Sequence, residues 1–139
     1  MEPICDNCTM RTVLLGMLFL LVVAFAVDTD LAGGFAGEWK SASSGNGGAI
    51  RFTLENAGGA WKSTVAFGLD GAEVQCAMRS VKLQDGKVEL VYDFEVQGIA
   101  LRSTVKGDWN GTEFRGGYET TTPDGSGVDS GSWSAKRKK

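Results

Sequence analysis

Alternation of apolar and polar residues is clearest between Val81 and Val96. Every second residue is apolar up to an Asp85-Gly86 pair, and the alternation starts again at Val88. An Asp-Gly pair between two alternating runs is typical of a β-hairpin, because a type I′ turn needs positive φ at both central residues. One apolar face and one charged face predict an antiparallel sheet with one buried and one solvated side.

The same period of two recurs in short runs along most of the chain, separated by turn-forming residues. We predict about eight strands, at residues 37–41, 49–55, 61–69, 73–84, 87–96, 99–106, 112–120 and 130–137. Two of the predicted turns are 107–111 and 121–127. The apolar positions of 73–84 change parity between Met78 and Val81, so one continuous strand there requires a bulge near Ser80.

These features predict an all-β fold, an antiparallel up-and-down meander closed into a barrel of about eight strands. Short hairpin connections favour the meander over Greek-key topology, and closure removes the exposed strand edges. No amphipathic helix longer than a turn or two is visible after Val27. Gly116 and Gly131 fall inside predicted strands, where glycine permits the bends that closure requires.

The N-terminal segment is predicted to be a secretory signal helix that precedes the barrel. Arg11 comes before an uncharged apolar run at 13–27, which is shorter than the ~20 residues that a membrane-spanning helix needs. Ala24 and Ala26 form a small-x-small cleavage site, so we predict cleavage after Ala26. The alternative is an uncleaved N-terminal anchor.

The predicted domain organisation follows from this boundary. It comprises a signal peptide at 1–26, a flexible lead-in at 27–36, a β-barrel domain at 37–137 and a basic tail at 138–139. The residues before Met10 include no basic residue, which is unusual in a signal, so a translation start at Met10 is the alternative. Cleavage predicts an exported protein, periplasmic or extracellular, whereas an uncleaved segment predicts a membrane-anchored one.

Composition argues against several classes of function. The net charge of −3 over 139 residues does not indicate a nucleic-acid binder. The absence of histidine excludes Ser-His-Asp and Cys-His catalysis and the usual zinc chemistry. Cys5 and Cys8 lie in the segment predicted to be removed, and Cys76 is interpreted as a small buried apolar residue. Asp93 and Glu95 share the polar outer face of their strand, so we predict no enzyme activity, no cofactor and no metal.

The terminal strands carry a motif that bears on family. In a closed meander the first and last strands are neighbours, so Trp39 of Gly37-Glu38-Trp39 is expected beneath Lys136 or Arg137. A cation–π contact of this kind contributes about 0.5–2 kcal/mol. In these residues the chain resembles the calycin superfamily, and more closely the short exported lipocalin-like domains of bacterial proteins of unknown function. The resemblance implies an eight-stranded antiparallel barrel and, for many members, a cup that binds a small apolar ligand.

If a cup is present, the inward-facing residues line it. The predicted ligand-binding residues are apolar or aromatic: Phe52, Phe67, Leu90, Tyr92, Phe94, Leu101, Phe114 and Tyr118. Tyr92 and Tyr118 carry the hydroxyl groups expected to orient a ligand in an otherwise apolar site. The competing interpretation is that these side chains simply fill the interior, as they do in small barrels.

Two functions therefore remain open. The first is an exported barrel that binds a small apolar or amphipathic ligand without catalysis. The second is a structural or protein-interaction module of the cell envelope with a filled interior, acting through its outer face, its loops or its basic tail. Membrane contact is expected only through an uncleaved N-terminal segment or through the basic residues at 136–139.

Overall fold

The barrel is an antiparallel meander. The computed structural model describes residues 31–138, and these residues form a nearly closed barrel of nine strands with a tenth, short strand beside it. The strands are β1 (Gly33–Ser41), β2 (Gly47–Ala57), β3 (Ala60–Lys62), β4 (Val65–Leu69), β5 (Ala72–Gln75), β6 (Ala77–Gln84), β7 (Lys87–Val96), β8 (Ile99–Trp109), β9 (Glu113–Thr121) and β10 (Gly127–Arg137). Their order around the barrel is β5-β4-β2-β1-β10-β9-β8-β7-β6, and β3 pairs with β2. The predicted all-β meander is confirmed.

No helix long and apolar enough to cross a membrane occurs within residues 31–138. The predicted signal peptide at 1–26, its alternative start at Met10 and the Cys5–Cys8 pair all lie outside the described residues, as does Lys139 of the basic tail.

The hairpin of β6 and β7 has the predicted geometry. Gln84 pairs with Lys87 across the turn, and Asp85 and Gly86 have φ values of 54° and 74°. Positive φ at both central residues is the requirement that made Asp-Gly a hairpin signal. The hairpin prediction is confirmed.

Pairing between β1 and β10 joins the two ends of the chain. Trp39 lies opposite Trp133, and Phe35 lies opposite Arg137. The terminal strands are therefore neighbours, as predicted. The remaining gap in the barrel lies between β5 and β6, which follow one another in the chain but are not hydrogen-bonded to each other along the sheet.

This gap corrects the prediction of one strand over 73–84. The chain breaks at Cys76, after which β6 pairs with β7 while β5 pairs with β4. The expected irregularity near Ser80 is present, since the register of β6 shifts between Met78 and Ser80. Alternation of side chains predicts which face a residue occupies, but it does not report a change of partner strand.

Several other boundaries differ from the prediction, including β10, which begins at Gly127 inside the predicted turn 121–127. The lead-in at 27–36 was expected to be flexible, but β1 begins at Gly33, and Leu31 and Phe35 are buried. Gly33, Gly34 and Gly37 surround Phe35 in the sequence, and because glycine has no side chain, no alternation of apolar and polar residues is visible there. The predicted strand 61–69 is split into β3 and β4, and the predicted turn 107–111 begins later because β8 continues to Trp109.

One end of the barrel is filled by aromatic side chains. Phe35 stacks on Phe52 with ring centroids 5.2 Å apart, and Phe114 meets Phe35 edge to face at 5.1 Å. Trp109 also packs on Phe114, at 5.0 Å. We call this the closed end; it contains the start of β1 and the end of β10. Leu54 and Leu31 are buried in the same core cluster.

Arg137 covers the closed end, which corrects the expected partner of Trp39. Its guanidinium lies 5.3 Å from the centre of the Phe35 ring and 5.9 Å from that of Trp109, and it donates a hydrogen bond to the Ala32 carbonyl at 2.9 Å. The register places Arg137 four residues along the barrel from Trp39, and the Lys136 side chain is exposed. The predicted contact of Trp39 with Lys136 or Arg137 is therefore wrong, because antiparallel pairing carries the end of β10 to the start of β1.

Close backbone approach requires glycine at Gly116. A Cβ atom there would overlap the Lys106 carbonyl oxygen on β8. Gly127, on the neighbouring strand β10, has nothing within 4 Å of an added Cβ. The two positions therefore form a matched pair.

We predict that Gly116→Ala lowers the free energy of unfolding by at least about 2 kcal/mol, since backbone atoms must move to admit the methyl group. Gly127→Ala is expected to change it by less than about 0.5 kcal/mol. Urea unfolding of the full chain measures both values. Equal midpoints for the two variants would show that close packing at Gly116 does not limit the barrel.

Candidate functional site: an apolar cup at the open end of the barrel

The interior is not filled throughout. A cavity of about 190 Å³ occupies the end of the barrel opposite the closed end. The β7–β8 turn and the β9–β10 loop lie at this end. We call this cavity the cup. Its walls are mostly apolar and include Trp39, Ile50, Phe67, Phe94, Leu101 and Tyr118. Val128, 51% exposed, stands at its mouth.

Trp133 separates the cup from the closed end. Its ring lines the cup and packs on Phe52 and Phe114, with centroids 5.7 and 6.3 Å apart. The indole N–H donates to the Lys106 carbonyl at 3.1 Å and to the Gly117 carbonyl at 3.2 Å. These two hydrogen bonds, one to β8 and one to β9, fix the ring as the floor of the cup.

Trp39 forms part of the wall. Its indole N–H donates to the Gly68 carbonyl at 3.1 Å, which ties β1 to the end of β4. Its ring meets Phe67 and Tyr118 edge to face, with centroids 6.1 and 6.0 Å apart. Edge-to-face aromatic pairs of this kind are favourable, so they stabilise this wall without the help of a ligand.

Five of the eight predicted ligand-binding residues line the cup: Phe67, Tyr92, Phe94, Leu101 and Tyr118. The other three, Phe52, Leu90 and Phe114, are fully enclosed in the packed core. All eight face inward, as the alternation predicts, but the alternation carries no information on depth along the barrel. The interior therefore contains both a packed core and an unfilled cavity.

A pair of buried hydroxyl groups lies within the cup. The Ser103 and Thr120 hydroxyls are 2.6 Å apart, and Tyr92 lies opposite Ser103 on the paired strand. Burial raises the pKa of the Tyr92 phenol well above its usual value, with the nearby Cys76 adding to the effect. This side chain therefore remains a neutral hydroxyl at any physiological pH.

Asp129 brings a carboxylate to the mouth of the cup. Tyr118 donates its hydroxyl to Oδ2 of Asp129 at 2.8 Å, and Ser41 donates to Oδ1 at 2.6 Å. Burial raises the pKa of Tyr118, and the hydrogen bond and negative charge of Asp129 raise it further. Tyr118 was predicted to orient a ligand, but its hydroxyl proton is committed to Asp129.

The alternation of apolar and polar residues does not predict that Asp129 lines the cup. The β9–β10 register shifts between Gly127 and Asp129, so Val128 is an extra residue in the strand. A bulge of this kind re-aims side chains, and here both Val128 and Asp129 line the cup. Trp39, Trp133 and Thr120 were also missed as lining residues, and Trp39 was assigned to barrel closure instead.

The outer face carries the remaining acidic groups that were considered. Asp93 accepts hydrogen bonds from Arg102 at 2.7 Å and from Arg79 at 3.4 Å, and the Arg102 hydrogen bond is the main cause that lowers the pKa of Asp93. Glu95 is exposed. This pair of carboxylates therefore lies on the solvated surface, away from the cup.

Cys76 is half-buried at the gap between β5 and β6. Burial raises the pKa of its thiol to about 12, so it is protonated at neutral pH and is a poor nucleophile. Within residues 31–138 no group of three or more potential metal-ligating side chains comes together.

Comparison with family models, with curated proteins and with solved structures returned no match to this chain.

We predict that Ser103→Ala lowers the free energy of unfolding by about 1–3 kcal/mol, because the buried Thr120 hydroxyl loses its partner. The double variant Ser103→Ala/Thr120→Val is expected to cost less than the sum of the two single changes, since no polar atom of the pair is then left unpaired. Urea unfolding of the unaltered chain, the two single variants and the double variant gives the coupling free energy between the two hydroxyl groups. Additive costs would mean that the two hydroxyls do not depend on each other.

We also predict that the tyrosines ionise only as the barrel unfolds. The chain has only two tyrosines, and the pKa of each is raised in the folded state. The folded state therefore holds more protons than the unfolded chain above about pH 10, the usual pKa of tyrosine, and stability falls as the pH rises beyond it.

Alkaline titration followed by tyrosinate absorbance and by circular dichroism measures this effect. The two signals should change together, and at a higher pH than free tyrosine. Tyrosinate formation near pH 10 with the β signal intact would contradict the burial of both phenols.

Proposed function

We propose that this chain is an exported, lipocalin-like β-barrel that binds a small apolar or amphipathic ligand in the cup, without catalysis. The observation that carries the proposal is the unfilled cup at one end of the interior. A barrel whose side chains serve only as a core has no reason to leave an apolar space of about 190 Å³ behind the fixed rings of Trp39 and Trp133.

The volume limits the size of the ligand. Pockets for drug-sized molecules measure about 300–1,000 Å³, so the cup is too small to enclose one. Apolar cavities of about 150 Å³ accept benzene. The proposed ligand therefore has an apolar part of about one aromatic ring or a short alkyl chain, with any polar part at the mouth.

The calycin assignment is part of the proposal. A nearly closed antiparallel barrel is compatible with it, and Gly37 and Trp39 on the first strand and Arg137 on the last strand are the residues of the resemblance. The chain departs from the family pattern in one respect, because Arg137 packs on Phe35 and Trp109 and not on Trp39. Export rests on the sequence of the N-terminal segment 1–26.

Several properties of the cup support binding without chemistry. The chain contains no histidine, and the Tyr118 hydroxyl already donates to Asp129. The raised pKa values of Tyr92 and Tyr118 keep both phenols protonated, so neither supplies a base or a nucleophile near neutral pH.

The packed closed end favours the second candidate, a structural or protein-interaction module. In that case the cup is only the unfilled remainder of a core, and the outer face or the basic residues at its end act on a partner. The two candidates differ in one measurable property, which is uptake of a small apolar molecule.

We predict that toluene binds the full chain with 1:1 stoichiometry and raises its melting temperature, since the cup is apolar and preformed. Leu101→Trp, which fills the cup from β8, should abolish uptake. Lys106→Trp places the same side chain on the exposed outer face of β8 and serves as the control.

Calorimetric titration measures the stoichiometry, and the unfolding midpoint of each variant shows that it is folded. No uptake by the unaltered chain would contradict the carrier function and favour the structural module. Uptake that survives Leu101→Trp but is lost in Lys106→Trp would place the site elsewhere.

A further inference from the structure

We propose that the ligand is a small amphipathic amine, whose ammonium group is bound by the carboxylate of Asp129 while its apolar part lies in the cup. This inference rests on the proposed function and names its ligand class. It is carried by the position of Asp129, its hydrogen-bond partners and the absence of a basic partner among the described residues.

Asp129 is placed where a ligand must pass. The bulge at Val128 brings the Asp129 side chain to the lining of the cup, near the exposed side of the mouth. Asp129 is half-buried and lines the same cavity as the apolar side chains of Trp39 and Phe67. A charge in this position is partly shielded from water, so its interactions with a ligand are stronger than those on the outer face.

The partners of Asp129 hold it without neutralising it. Tyr118 and Ser41 donate hydrogen bonds at 2.8 and 2.6 Å, and Ser43 donates a longer one at 3.4 Å. All three are neutral hydroxyls. A carboxylate has about four lone-pair sites, so at least one stays available for a further donor.

Four carboxylates on the outer face differ from Asp129 in this respect. Within residues 31–138, five ion pairs join lysine or arginine to outer-face carboxylates of Glu73, Asp93, Glu89 and Glu113. None of these pairs includes Asp129. It is therefore a fixed negative charge at the entrance of an apolar cavity, without a basic side chain to balance it in the part of the chain that the structure describes.

A protonated amine matches this arrangement better than other headgroups. Its N–H groups donate to the available oxygen of Asp129 in a hydrogen bond between two ionised groups, which is the strong kind. The Trp39 and Tyr118 rings line the same cavity, and aromatic rings of this kind attract cations. A carboxylate headgroup would be repelled by the negative charge of Asp129. A neutral alcohol would form a weaker hydrogen bond, in which only Asp129 is ionised.

Three ligands that share one ring and differ in headgroup test the proposal: 2-phenylethylamine, 2-phenylethanol and phenylacetate. At low salt and neutral pH we expect the amine to bind the full chain about tenfold more tightly than the alcohol, and phenylacetate to bind most weakly. Added salt should weaken binding of the amine and leave binding of the alcohol unchanged.

Asp129→Asn keeps the shape of the side chain and removes its charge. We expect it to weaken binding of the amine about tenfold, to restore binding of phenylacetate and to leave the alcohol within about twofold. Glu119→Gln is the matched control, because Glu119 is exposed on the outer face, next to Tyr118 in the chain, and its replacement changes the net charge equally. It should leave the order of the three affinities unchanged.

Each other outcome overturns the inference in a distinguishable way. If none of the three ligands binds and toluene also fails, the proposed function itself is wrong. If the amine and the alcohol bind equally, the cup binds ligands but does not select amines. If Asp129→Asn weakens binding of all three ligands equally and lowers the unfolding midpoint, the role of Asp129 is structural: it holds the ends of neighbouring strands together and does not select the headgroup. If Glu119→Gln has the same effect as Asp129→Asn, overall charge explains the preference.

Discussion

Pairing of the first strand with the last is the interaction on which the rest of the structure depends. It places Trp39 opposite Trp133, and each indole then donates to backbone carbonyls of other strands. One ring forms part of the wall of the cup and the other forms its floor. Because both rings are held by hydrogen bonds as well as by packing, the space between them keeps its shape while the remainder of the interior is filled.

The two halves of the interior have different physical roles. Stacked and edge-to-face aromatic rings fill the closed end, where the guanidinium of Arg137 covers Phe35. Burial of these rings provides much of the stability, since the described residues contain no disulfide. The open end contributes less packing and holds the polar groups instead. A small barrel can leave a cavity of this size at one end because its other end is so completely packed.

Much of the fold was predictable because it depends on local rules. The period of two and the Asp85-Gly86 turn predicted β6 and β7 and the meander to which they belong. Features that depend on long-range geometry were not predictable. The break at Cys76 involves a change of partner strand, and the different depths of Phe67 and Phe114 arise from the stagger of the barrel. Asp129 enters the site through a bulge, which alternation does not reveal.

The gap between β5 and β6 leaves the barrel with two strand edges, whose backbone donors and acceptors are available to another chain. Neither edge is long and flat. β5 is only four residues long, and the register shift in β6 between Met78 and Ser80 interrupts its regular edge. Short and bulged edges resist intermolecular sheet extension. The incomplete closure thus persists with little tendency to seed aggregation.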